Sequence, residues 1–91
     1  MFTSDEQILK LPDRLIADKK ISGMAQFYEE TGITRSLFSK VKNQDKYTQA
    51  YHFSPIQIET ICIKYDINSN WIFAFSTDLY LEKPTNKVKS I

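Results

Sequence analysis

Residues 24–43 read MAQFYEETGITRSLFSKVKN, and the fold turns on how that stretch divides. Met24, Phe27, Tyr28 and Thr31 recur at helical spacing behind Ser22, an N-cap candidate, so a helix of about two turns is expected over 23–31. Gly32 stands where a left-handed residue closes a helix. Ile33 follows, and Thr34 is a second N-cap. From Arg35 to Asn43 only Phe38 and Val41, at i, i+3, need face inward. Arg35, Ser36, Ser39, Lys40, Lys42 and Asn43 are left on a polar, basic outer side, with Leu37 among them.

Two short helices joined through a glycine turn have the sequence form of a helix-turn-helix. Phe27, Ile33, Phe38 and Val41 are expected to bury the inner sides and hold the angle between them. The outer side of the second helix is then free to lie in a major groove about 12 Å wide. Its N-terminal amides favour phosphate.

On the N-terminal side, Ser4 and Gln7 have capping-box spacing, and Pro12 follows. A proline suits a first helical turn, so a helix is expected from Pro12 to about Lys19, with Leu11, Leu15 and Ile16 as its apolar positions. Residues 1–11 are then an arm or a short helix. The alternative is one kinked helix over 5–19. On the C-terminal side, residues 44–53 (QDKYTQAYHF) lack helical period and read as a loop. Ser54-Pro55 opens a fourth helix whose inward stripe is Ile58, Ile61, Cys62 and Tyr65, with Ile56 and Ile63 outward. Asn68 or Asn70 caps a last helix holding Trp71, Ile72 and Phe75. Residues 76–82 (STDLYLE) alternate as a short strand does, or form an arm packed on a partner; 83–91 are polar and expected to fray. The expected architecture is all-α: five short helices, with a helix-turn-helix domain over 12–75 and a C-terminal extension over 76–91.

Ninety-one residues make a single domain, and 42% hydrophobic with 25% charged residues is the composition of a folded globule rather than a disordered chain. No apolar run approaches the ~18 residues of a membrane span, and the start MFTSDEQ lacks the regions of a secretory signal, so a cytoplasmic protein is expected. Cys62 is the one cysteine and His52 the one histidine, which leaves no internal disulfide, metal site or His-based triad. With no glycine-rich phosphate loop or nucleophile–base pair either, neither cofactor nor catalytic residue is expected, and the chain is not read as an enzyme. The net charge of +1 conceals an uneven distribution. Residues 31–46 carry Arg35, Lys40, Lys42 and Lys46 against Asp45 alone, and 83–91 carry Lys83, Lys87 and Lys89 with no acid. Such basic segments suit a phosphate backbone; the plainer alternative is a solvated helix face and a tail.

EETGITRSLFSKVKN, SPIQIETICIKYDI and INSNWIF together resemble the lambdoid phage repressor and Cro family, also called the XRE family, over roughly residues 12–75. That resemblance implies a five-helix DNA-binding domain, mostly found in transcriptional repressors that bind palindromic operators as dimers, here nucleoid-associated when bound. It makes 34–43 the recognition helix and places base reading on Arg35, Ser36 and Lys40. It puts a phosphate contact on Asn43, with Lys42 beside it. The sequence departs from the family at Met24 and Ala25, where a glutamine is usual and Gln26 is displaced, and at Gln44, where glycine is usual. The loop before the fourth helix is also longer. Lys46, Tyr47, Thr48 and Gln49 are therefore expected to form a different backbone-contacting loop.

Each residue carries a plainer alternative. Arg35 can pair bidentately with a guanine edge, or with Glu29 or Glu30. Lys40 can reach a base or phosphate, or stay solvated. Ser36 and Ser39 permit close approach to the backbone, or are merely tolerated at a surface. Leu37 can meet a thymine methyl or pack on the loop. Phe53 is expected to cap the core between the third and fourth helices. The apolar C-terminal third suggests an association surface, and the family's use of its C-terminal helix assigns Trp71, Phe73, Phe75, Leu79 and Tyr80 to a homodimer. The competing function is a protein-binding module: the antitoxin of a toxin–antitoxin pair, or an anti-repressor.

Overall fold

Pro12 does not divide the N-terminal region. In the computed structural model, which describes residues 1–81, helix α1 runs unbroken from Thr3 to Ala17. One helix does pass through the proline, as in the kinked alternative over 5–19, but it spans Thr3–Ala17, and residues 1–11 are not a separate arm or short helix. An interior proline costs about 3 kcal/mol, because it removes a hydrogen bond and crowds the preceding turn. Ile8, Leu11 and Leu15 are fully buried on one face of α1, and Pro12 itself is buried beside them. Each such aliphatic burial contributes about 1.5–3 kcal/mol, so packing outweighs the proline. The expected Ser4–Gln7 capping box is absent; Gln7 Nε2 instead donates to the Trp71 carbonyl, 2.8 Å away. Ile16 points away from the core.

Local cap chemistry sets most other boundaries. Helix α2 spans Met24–Thr31 and ends at Gly32 with φ +76°, the left-handed closure expected there. Its N-cap is Gly23 rather than Ser22; the Ser22 N–H donates to Gln26 Oε1, which reaches back over the first turn. Helix α3 spans Arg35–Lys42, with Thr34 Oγ1 accepting the Leu37 N–H at 3.0 Å. Gln44–Lys46 is a 3-10 turn. Helix α4, Pro55–Tyr65, opens with a complete capping box between Ser54 and Gln57. Helix α5 is short, Ser69–Ile72, capped by Asn68; Phe75 lies beyond it and is 83% exposed.

Among the described residues the protein is a small all-helical globule of five α-helices with no strand. Helix α1 packs on α3 and α5, and α2 packs on α4. Phe27 sits at the centre, stacked on Tyr65 and edge-on to Phe38. Phe53 is buried against Phe38, the capping position expected of it. The segment after α5 folds back on its own chain. Ile67 and Tyr80 form an isolated antiparallel bridge, in which Asn68 N–H donates to the Leu79 carbonyl and Leu81 N–H to the Asp66 carbonyl. Leu79 is thereby only 3% exposed. The expected tail at 83–91, with its three lysines, lies outside the described residues. No described helix is long and apolar enough to cross a membrane.

Candidate nucleic-acid interface

The turn between α2 and α3 is fixed by Thr31, a buried hydroxyl that donates to the Phe27 carbonyl and accepts the Ile33 N–H. Ile33 then anchors the turn in the core, and α3 leaves with Phe38 and Val41 inward. Arg35, Ser36, Ser39 and Lys42 are exposed, while Lys40 and Asn43 are half-buried. Lys40 and Lys42 lie in the last turn, where cations complement the helix dipole.

Helical rotation sorts these side chains further. Five residues turn an α-helix by about 140°, so Arg35 and Lys40 occupy opposite flanks rather than one face. On the first flank the Arg35 guanidinium lies over the Tyr28 ring of α2, 5.4 Å from its centroid. Seven residues bring Lys42 back to that side. Arg35, Ser39 and Lys42 line a cleft of about 440 Å3 together with Tyr28, Met24 and Asp13. On the second flank the Lys40 ammonium lies over Tyr51, 5.1 Å from its centroid. Neither glutamate pairs with Arg35: Glu30 accepts from Gln26 and from the Tyr65 hydroxyl, and the ion pairs among the described residues lie elsewhere. Those two hydrogen bonds hold the Glu30 carboxyl below its ordinary range, and burial with the Glu30 bond pushes the Tyr65 phenol well above its own. Leu37 is half-buried against the core rather than free on the outer side. Asn43 caps α3, its Nδ2 donating to the Ser39 carbonyl at 2.9 Å, so that nitrogen already serves the helix end.

The 44–53 loop is tied at both ends. Gln44 Nε2 donates to the Tyr51 carbonyl at 2.7 Å, and Tyr47 packs edge-on to Tyr51. Lys46, Tyr47, Thr48 and Gln49 are exposed between these ties. The second tie was not foreseen from sequence. Asp5 of α1, fully buried, accepts the Phe53 N–H at 3.0 Å and meets His52 Nδ1 at 2.7 Å, while Phe2 stacks on the imidazole. No local pattern announces a pair 47 residues apart.

The C-terminal apolar residues do not act as one set. Leu79 belongs to this chain's core, which corrects its assignment to a dimer surface. Tyr80 is half-buried: its hydroxyl donates to Asp18 Oδ2 at 2.6 Å, and the Lys20 ammonium lies over its ring. Burial and that bond push the Tyr80 phenol up to about 12; the same bond draws the Asp18 carboxyl down. Trp71 is half-buried against the core. Phe73 and Phe75 stay exposed. Phe73 and Phe2 border an apolar groove of about 720 Å3 floored by Ile58 and Cys62, where burial raises the thiol pKa. Among the described residues no group of His, Cys, Asp or Glu side chains is placed to hold a metal ion. No family model matches this chain, and no curated protein or solved structure matches it.

Proposed function

We propose that this chain is a sequence-specific DNA-binding transcriptional regulator of lambda-repressor-like fold, akin to phage repressors of the XRE family. The observation that carries the reading is α3: Phe38 and Val41, with Leu37 half-buried beside them, serve the core, and an Arg/Ser/Lys surface is left open behind a tight turn anchored by buried Thr31 and Ile33. In this reading Arg35, Ser36 and Lys40 read base edges. Ser39, Lys42, Asn43, Lys46 and Tyr47 follow the phosphate backbone. The chain acts by equilibrium binding in the cytoplasm, not by catalysis, and phosphate contacts give its affinity a salt dependence. Phe73 and Phe75 supply the contact between two copies that grip half-sites about one helical turn apart.

A selection of bound duplexes from a random pool tests this. The expected result is enrichment of a palindrome. No enrichment at moderate salt overturns it. The groove beside Phe73, with Ile56 and Ile63 exposed on α4, favours one second reading, a module that binds another protein such as a toxin. A stoichiometric partner recovered without any DNA shift distinguishes it.

A further inference from the structure

We propose that Tyr28 and Tyr51 are positioning residues that set where Arg35 and Lys40 reach, one on each flank of α3; the inference rests on α3 being the base-reading helix. Each tyrosine links an anchored framework to a reading cation. Tyr28 stands edge-on to the core rings Phe27 and Phe38, at 6.3 and 5.9 Å, and offers Arg35 its face. Tyr51 is held through its carbonyl by Gln44 and along its ring by Tyr47, and offers its face to Lys40.

A long cationic side chain left free samples many rotamers, which must be frozen on binding. A ring face within about 6 Å holds the charge by its quadrupole. A guanidinium held in this way keeps its N–H fork for a guanine edge, while the lysine ammonium remains a mobile point charge with three donors. Because the two cations rest on different elements, α2 and the 44–53 loop, their reach is set independently. Sequence preference at two positions of the site is therefore tuned by two residues that touch no base.

The test uses the full chain and the duplex that the wild type selects. Fluorescence anisotropy measures affinity for that duplex and for each of its single base-pair replacements. Arg35→Ala and Lys40→Ala first mark the base pairs that each cation reads. Tyr28→Leu is expected to lower discrimination about two- to fivefold at the Arg35 positions alone, and Tyr51→Leu by the same factor at the Lys40 positions alone. Tyr28→Phe and Tyr51→Phe keep a ring face and restore the wild-type profile. Tyr28→Met gives a second ring-free variant if leucine impairs folding. Discrimination that is unchanged, lost alike at every position, or not restored by phenylalanine overturns the inference while leaving the DNA-binding reading intact. A wild-type chain that prefers no duplex overturns both.

Discussion

Replacing Asp5 with alanine removes a side chain that hydrogen-bonds α1 to the end of the 44–53 loop. Asp5 is 0% exposed and serves two partners, the Phe53 amide at 3.0 Å and His52 Nδ1 at 2.7 Å. Alanine leaves the Phe53 N–H without its acceptor, which costs about 1–3 kcal/mol for a buried donor. The imidazole is 34% exposed, so its share of the loss is screened to about 1 kcal/mol. The sum, about 2–4 kcal/mol, is set against a total stability of about 5–14 kcal/mol for a chain of this length. Urea unfolding, followed by Trp71 fluorescence and far-ultraviolet circular dichroism, measures it. Asp5→Asn keeps an oxygen for the Phe53 amide and is expected to lose about 1 kcal/mol. His52→Ala, which leaves the amide satisfied, is expected to lose a similar amount. An Asp5→Ala variant within about 0.5 kcal/mol of wild type, the range of an ordinary surface change, would falsify the role given to this tie.

Three further outcomes are expected. Gly32→Ala places a Cβ in open space but at φ +76°, so it should destabilise by about 1–2 kcal/mol through backbone strain alone, and Gly32→Asn by less; equal stability in urea counts against the turn as described. Tyr80 ionises near pH 12 in the folded chain against 10.0 ordinarily, so the stability it contributes is whole below pH 10 and disappears as pH rises through 12. Tyrosinate absorbance should show this late step, and Asp18→Ala should bring it earlier without abolishing it, because burial remains; an unmoved step denies the Asp18 bond. Leu79→Ala should lower stability by about 2–5 kcal/mol, whereas Phe75→Ser should weaken self-association in sedimentation velocity and leave the urea midpoint nearly unchanged. The reverse pattern would return Leu79 to an interface.

What the sequence disclosed is what short-range chemistry controls. Gly32, Thr34, Ser54-Pro55 and Asn68 each set a helix end through groups within four residues, and each stands where its residue type directs. Phe38 and Val41 followed from spacing alone, and with them the exposure of Arg35, Ser36, Ser39 and Lys42, whereas Leu37, Lys40 and Asn43, expected on the same outer side, are half-buried. The misreadings arise where distant packing prevails. Pro12 carries a local break signal, but Ile8, Leu11 and Leu15 bury one face across it. Ser4 and Gln7 match a capping box, yet Gln7 bonds to a carbonyl 64 residues away. Leu79 reads as a surplus apolar residue because nothing local shows that the chain returns to Ile67. The Arg35 and Lys40 partners were missed for the same reason: Tyr28 and Tyr51 are neighbours only once α2 and the loop are packed against α3.

The proposed contact with DNA is made by the outer side of α3. Amide chemical shifts of the isotope-labelled chain, recorded as the selected duplex is added, test it most directly. The largest changes are expected within Thr34–Asn43, with a second set at residues 46–49. Changes confined to the groove between Phe2, Ile58 and Phe73, with α3 unmoved, would contradict it.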